Sequence, residues 1–386
     1  MTRQLKLLVG ADVMPDENSG VAGTVMETSR ALEAFGHHVE SFWADSLTRR
    51  IAHGNLHYIV ELPRALRRAV KDRMARASFD VIQLSQPHSY LAGRMVLGCP
   101  SRPLMVWRSH GLEAKVDDAI ERHAPPRAAS WRAALRRISG NRLRRAQREA
   151  VRWTDGVIVP CEDDKRYLVE HFGASDERVR VIWHGVPDEY IDAPQSGDSR
   201  RWHRILHVSQ FSANKGPMVM HEVAARLLEA RPDASMTWVC PQSRHGSIRE
   251  QLPERLRSRI ELLDWVDRTA LMDLYDAHGL FLFPTLAEGA AKVVMEAMAR
   301  GLCVVSSDTS GPRDYISQGE NGLLVPVGSS SAMANAAIEL LESDDRGPRM
   351  GAAATATAAK FRWSRCARQM LYFYEDLAAL RFKGDR

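Results

Sequence analysis

Residues 279–308 read GLFLFPTLAEGAAKVVMEAMARGLCVVSSD, and the succession of textures in this stretch decides the fold. An apolar run, GLFLFPT, precedes a short loop from Pro284 to Gly289. A helix-patterned run follows from Ala290 to Arg300, and then a second apolar run, GLCVVSSD. Runs apolar on both faces and only a few residues long describe strands covered on both sides. The stretch is therefore a βαβ unit. It is small and apolar, yet it keeps two glutamates, Glu288 and Glu296, with Gly289 directly after the first.

The same alternation extends in both directions. Before it come LKLLVGA, HVESFWA, FDVIQL, PLMVWRSHG, DGVIVP and VRVIWHG, then RILHVSQ, SMTWVC and IELLDWV; after it comes GLLVPV. Helical patterns lie between them, so a doubly wound α/β architecture occurs twice. The break falls near 187–203, PDEYIDAPQSGDSRRWH, which is polar, carries Pro, Gly and Ser, and lacks periodicity. This predicts an N-terminal Rossmann-like domain over 1–190, a linker over 191–203 and a second Rossmann-like domain over 204–364. Two such domains predict a cleft facing the carboxyl ends of their strands, where open α/β sheets bind ligands.

A length of 386 residues suits two domains, and 45% hydrophobic with 26% charged residues is a globular balance. The cysteines, Cys99, Cys161, Cys240, Cys303 and Cys366, are scattered without a CxxC pair, which argues against a disulfide framework or a zinc site. The first apolar run is too short for a signal peptide, and no window approaches the roughly 20 apolar residues of a spanning helix. A cytoplasmic protein is expected, or one at the inner face of the cell membrane. Two segments concentrate positive charge. Residues 127–152 hold nine arginines against one acid, and residues 63–76 hold six basic residues against one acid. Both read as basic amphipathic helices. A solvated helix face explains them plainly, and an anionic partner, such as a phospholipid surface or a phosphate-bearing acceptor, is the sharper alternative. Nucleic acid fits poorly, because no aromatics interleave with the charge.

Glu288 is expected at a strand's carboxyl end and Glu296 about two turns into the following helix. The backbone N–H groups at that helix start suit a diphosphate, and Gly289 lets the backbone come close. Carboxylates beside a phosphate site are tolerable where they face hydroxyls, which a sugar and a ribose supply. A capping acid and an exposed helix glutamate are the alternative.

With its surroundings, EGAAKVVMEAMARGLCVVSSDTSGPRDYISQGENGLLVPV resembles the nucleotide-sugar signature of the GT-B-fold glycosyltransferases, nearest to the retaining E-x7-E enzymes of glycosyltransferase family four. NSGVAGTVMETSRALEAFGHHVESF, RSHGL, TDGVIVPCEDDKRYL, VRVIWHGVPDEY and ILHVSQFSANKGPMVMHEVAARL resemble further family segments in the family's order. FRWSRCARQMLYFYEDL resembles the closing helix, which implies that 365–386 crosses back to the first domain.

The resemblance implies roles. Glu288 would contact the transferred sugar, Glu296 the ribose, and the amides from Gly289 through Ala290 and Ala291 to Lys292 the diphosphate. Lys215 matches the basic diphosphate ligand, Gly20 the glycine loop facing sugar phosphate and acceptor, and His110 the histidine near the reacting carbon. A surface lysine, a plain turn and a structural histidine are the respective alternatives. Two departures stand out: Gln210 lies where the family commonly has an arginine, and Ala291 where a second glycine is usual. Lys292 is the candidate to restore the lost charge.

The expected reaction is hexosyl transfer from a nucleoside-diphosphate sugar to an acceptor hydroxyl with retention. No D-x-D triplet occurs, and neither metal nor cofactor is expected. An inverting path would need a base, for which Asp117 and Asp118 are candidates. An epimerase or phosphorylase of the same fold, or an inactive nucleotide-sugar-binding protein, are the rival readings. The basic helices fit a phosphorylated or lipid-linked acceptor and fit a soluble one equally.

Overall fold

The computed structural model describes residues 3–51, 56–85, 87–123, 131–195 and 197–384, with backbone alone for 131–139 and 383–384. All twelve apolar runs form strands. In the first half they are β1 (Lys6–Gly10), β2 (His38–Phe42), β3 (Val81–Ser85), β4 (Leu104–Arg108), β5 (Gly156–Val159) and β6 (Val179–Val181). In the second half they are β7 (Arg204–Val208), β8 (Ser235–Val239), β9 (Ile260–Leu263), β10 (Leu280–Phe283), β11 (Cys303–Ser307) and β12 (Leu323–Val325). They pair in parallel into two six-stranded sheets, ordered β2-β1-β3-β4-β5-β6 and β12-β11-β10-β7-β8-β9.

The period-two alternation of strand side chains builds a core on each face of each sheet. Leu7 and Val9 of β1 join Ile158 and the helix Trp363–Gly384, through Phe373, Tyr374 and Leu377. Leu8 points the other way, to Ile82, Met105 and the buried Leu66 and Val70 of the helix Leu62–Met74. In the second sheet, Ile205 packs with Trp238, Leu282 and Val305 on one face. Leu206, Phe281 and Val304 pack with Val294 and Met298 on the other.

Two compact units result. The first comprises Met1–Asp117, Pro125–Gly185 and Trp363–Arg386; the second comprises Asp118–Ala124 and Val186–Arg362. The chain therefore leaves the first unit at Gly185, before the expected boundary, and the stretch 191–203 is not a detached linker. Its described residues belong to the second unit, and Arg300 is the physical reason. This fully buried side chain donates two hydrogen bonds to the carboxylate of Asp276, both 2.8 Å, and others to the carbonyls of Ala193 (2.8 Å) and Tyr190 (3.2 Å). Backbone carbonyls that a free linker would leave to water are thus satisfied inside the unit.

In the helix Leu62–Met74, Arg64, Arg67, Arg68 and Lys71 are exposed while Leu62, Leu66, Ala69 and Val70 are buried in the unit's own core. Its apolar face is therefore already covered. Of 127–152, residues 127–130 lie outside the described residues, as do the side chains of 131–139; Arg142, Arg145 and Arg148 are exposed. Among the described residues, no helix is long and apolar enough to cross a membrane.

Candidate functional site

In each sheet the strand order reverses direction once, and such switch points open a crevice outside the strands' carboxyl ends. In the second sheet the reversal lies between β7 and β10. The loop after β7 carries Gln210 and Lys215, and the loop after β10 carries Glu288 to Ala291. The geometry of the site follows from how these two loops hold each other.

They are stitched by backbone. Leu286 N–H donates to the carbonyl of Asn214 (2.6 Å), and Thr285 Oγ1 donates to the same carbonyl (2.9 Å). Gly216, directly after Lys215, has φ +64°, and a Cβ there would lie 2.0 Å from the Pro284 carbonyl oxygen. Only glycine fits this turn and this approach. The result is that Lys215 is carried to Glu288. Their side chains form an ion pair, each about one-fifth exposed, with the Lys215 ammonium 5.4 Å from the centre of the Phe283 ring.

The helix after the loop runs Lys292–Ala299, two residues later than the pattern suggested. Ala291 is its N-cap, with φ 45° and ψ 54°, the only non-glycine with positive φ among the described residues. This left-handed turn ends the loop sharply, so Ala290 and Ala291 precede the helix. Ala291 is nonetheless placed as glycine would be. Its neighbour is held by close packing as well: a Cβ on Gly311 would lie 2.2 Å from the Gly289 carbonyl oxygen, and Gly311 N–H donates to the carbonyl of Glu288 (3.3 Å). Tyr315 Oη donates to the Ala290 carbonyl at 3.3 Å. The first-turn N–H groups of the helix point out of its start, which lies beside this fixed loop.

Glu296 lies one turn into that helix, closer to its start than the sequence suggested, because the helix begins late. Its Oε2 is 3.2 Å from the hydroxyl of Tyr275, which is also 3.3 Å from the carbonyl of Val293. Tyr275 is fully buried; burial and then the nearby Glu296 charge push its pKa well above the ordinary value, so it acts as donor. Lys292 is half-buried at the helix start, and Gln210 is exposed beside β7.

The remaining two candidates belong to the first unit. Gly20 is not a plain turn: it opens the helix Gly20–Ala34, whose cap Ser19 accepts from Ala22 N–H through its side chain. His110 follows β4, with Nε2 3.1 Å from Ser85 Oγ at the end of β3 and its ring 5.8 Å from that of His184. Lys215, Glu288, Gly289, Ala290, Ala291, Lys292 and Glu296 are thus brought together in the second unit, while Gly20 and His110 lie at the strand ends of the first. The sequence reading missed Tyr275, which orients Glu296, and Gly216, which seats Lys215. The glycine of NKG was a readable signal; nothing local marked Tyr275.

Comparisons with known proteins bear on the fold and the family. A family model described as Glycosyltransferase Family 4 matches residues 18–190, and one described as Glycosyl transferases group 1 matches residues 203–343. The chain belongs to this family of GT-B glycosyltransferases, having a doubly wound sheet in each matched half. Among curated proteins it is similar to the D-inositol 3-phosphate glycosyltransferase of Corynebacterium glutamicum, 27% identical over 242 residues, which are 58% of each chain. A protein of that name from Nocardia farcinica is 27% identical over 256 residues, 62% of this chain and 56% of the relative. The match thus spans under two-thirds of the length of these relatives. Among solved structures, sucrose-phosphate synthase of Thermosynechococcus elongatus aligns over 98% of this chain and 100% of its own, with TM-score 0.77 and 21% identity. The Anabaena protein HepE, solved with UDP-glucose, aligns over 97% and 100%, with TM-score 0.71 and 17% identity. At these identities the structural likeness speaks for the fold.

Proposed function

We propose that the protein transfers a hexosyl group from a nucleoside-diphosphate sugar to an acceptor hydroxyl, with retention and without a metal. The observation that carries this reading is the Lys215–Glu288 pair at the switch point of the second sheet, beside the start of the helix Lys292–Ala299. A cation and outward-pointing amides suit a diphosphate, and the carboxylates to either side suit hydroxyls. Glu288 would receive those of the sugar and Glu296, oriented by Tyr275, those of the ribose. Relatives named for D-inositol 3-phosphate and a fold relative holding UDP-glucose point the same way.

In the proposed step the acceptor oxygen bonds to the anomeric carbon as the bond from that carbon to the diphosphate oxygen breaks. The acceptor's proton passes to the leaving phosphate on the same face, which needs no protein nucleophile. Lys215, Lys292 and the helix amides meet the charge developing on the diphosphate. His110 is assigned to the sugar near the reacting carbon and Gly20 to the phosphate and acceptor side. Metal ions are not required in this scheme, because protein groups supply the positive charge. We extend the proposal to a peripheral contact of the exposed arginines of 63–76 and 127–152 with anionic lipid at the cytoplasmic face.

The test is a thermal-shift screen of nucleoside-diphosphate sugars, since a true donor stabilises the fold by mass action. One donor should raise the melting temperature of the wild type and not of Lys215→Met. It should be turned over only with an acceptor, and NMR should show an unchanged anomeric configuration. Failure of every donor to bind would refute the reading. Binding without turnover on any acceptor would leave a binding protein, and turnover without an acceptor an epimerase.

A further inference from the structure

The amino edge of the first sheet carries a recess that the proposed transfer does not use. Its volume is about 350 Å³, in the range of small-molecule sites, and it lies where β5 and β6 begin. The strands run parallel, so this edge is opposite the carboxyl end of β4, after which His110 stands.

The floor of the recess is apolar. Val157 and Val179 are buried there, and the half-buried Phe172 ring forms a wall. Three arginines reach in from above: Arg148 and Arg152 from the end of the helix Trp131–Arg152, and Arg178 from just before β6. Among the described residues, no acid lines it.

Part of this charge has a structural use. The carboxyl ends of the helices Trp131–Arg152 and Glu162–Phe172 meet here, each carrying about half a negative charge. Arg178 serves the first of them: Nε donates to the Asp155 carbonyl (2.8 Å) and Nη2 to the Thr154 carbonyl. The two ends together offset roughly one of the three positive charges. Arg148 and Arg152 make no such bonds. Their guanidiniums lie 5.7 Å over the Phe172 ring and 5.2 Å over the Trp153 ring, and neither has a carboxylate partner among the described residues. Nearby acids are engaged elsewhere: Asp155 with Arg102 (2.6 and 2.8 Å) and Glu149 with Trp153 Nε1 (2.9 Å). Asp176 and Glu177 are exposed, where solvent and salt screen them.

Roughly two positive charges therefore stand over an apolar floor. A carboxylate would match about half of that. A phosphomonoester carries about −1.5 to −2 at pH 7, and its oxygens fit guanidinium forks. From this balance we propose that the recess is a separate anion site that takes a small phosphomonoester with a flat or apolar body. The phosphate meets Arg148, Arg152 and the Nη1 of Arg178, and the body lies on Val157 and Val179 beside Phe172. The site shares no residue with the donor-binding loops, so the proposal stands apart from the transferase reading.

The test is isothermal titration of the full chain carrying Lys215→Met, which removes the second unit's phosphate ligand. The probes are phenyl phosphate, inorganic phosphate and phenol. Phenyl phosphate should bind several-fold more tightly than phosphate, and phenol more weakly than either. Arg148→Ala/Arg152→Ala should weaken phenyl phosphate by about tenfold or more. Ser175 lines the recess, is exposed and has extended backbone (φ −70°), so Ser175→Trp can fill the space and should abolish binding. Either variant suffices if thermal melts show the other unfolded. Arg64→Ala/Arg67→Ala removes the same charge from another exposed helix face and should leave affinity within about twofold. Absent binding of phenyl phosphate, binding that both site variants leave intact, or an equal loss in the Arg64/Arg67 control would overturn the proposal. Equal affinity for phosphate and its phenyl ester would overturn the role of the apolar floor.

Discussion

Gly216→Ala tests the physical account of the site most directly. A Cβ there must adopt φ +64°, which costs an L-residue about 1–2 kcal/mol. It would also stand 2.0 Å from the Pro284 carbonyl oxygen. That oxygen is backbone and cannot swing away, so the loops must part, at an overpacking cost of about 1–3 kcal/mol. The lower entropy of the unfolded alanine chain returns about 0.4–1 kcal/mol. The net expectation is about 1–4.5 kcal/mol of destabilisation, read as a shift in the urea transition at constant slope. Parting the loops also moves Lys215 off the site. Losing one charge-assisted contact of about 1.5–3 kcal/mol corresponds to roughly 10- to 150-fold in donor affinity, read by titration. A variant within about 0.5 kcal/mol of wild type and with unchanged donor affinity would refute the claim that this glycine seats the lysine.

Other expectations follow from the same geometry. Gly20→Ala should leave stability unchanged or slightly raised, because a Cβ there meets nothing within 4 Å and the residue is already helical; thermal melts check this, and a kinetic defect would then belong to ligand contact. Tyr275→Phe removes the donor that orients Glu296 and should weaken nucleotide-sugar binding by about 0.5–1.5 kcal/mol, measured by calorimetry. Arg300→Met leaves the Asp276 carboxylate and the carbonyls of Tyr190, Ala193 and Pro194 without their buried partner and should destabilise by about 3–5 kcal/mol in urea. Asp12 and Glu113 titrate higher when folded than when unfolded, so the native state holds their protons between about pH 4 and pH 7 and their contribution to stability falls as pH rises through that window. Glu113→Gln should flatten the pH dependence of urea stability and gain up to about 3 kcal/mol at pH 8; parallel wild-type and variant profiles would contradict this.

The sequence alone determined the twelve strands and their grouping by halves. Runs such as GLFLFPT and RILHVSQ are apolar on both faces, which only a strand buried on both sides satisfies. It also offered Lys215, Glu288 and Glu296 as candidates, through the resemblance of NKG and of the E-x7-E stretch to glycosyltransferase segments. Other facts depend on residues far apart in the chain, and tertiary structure decided them. The polar composition of 187–203 suggests a linker, but Arg300, about a hundred residues later, bonds its carbonyls into the second unit. Ala291 is a good helix former by propensity, yet the close approach of Gly311 to Gly289 accompanies a left-handed turn that starts the helix at Lys292. Arg148, Arg152 and Arg178 are ordinary apart and converge on one recess only where β5 and β6 begin side by side. Periodicity encodes which face of an element is buried, because burial is a local demand on each segment; which distant side chains then meet is set by strand order, which no single segment carries.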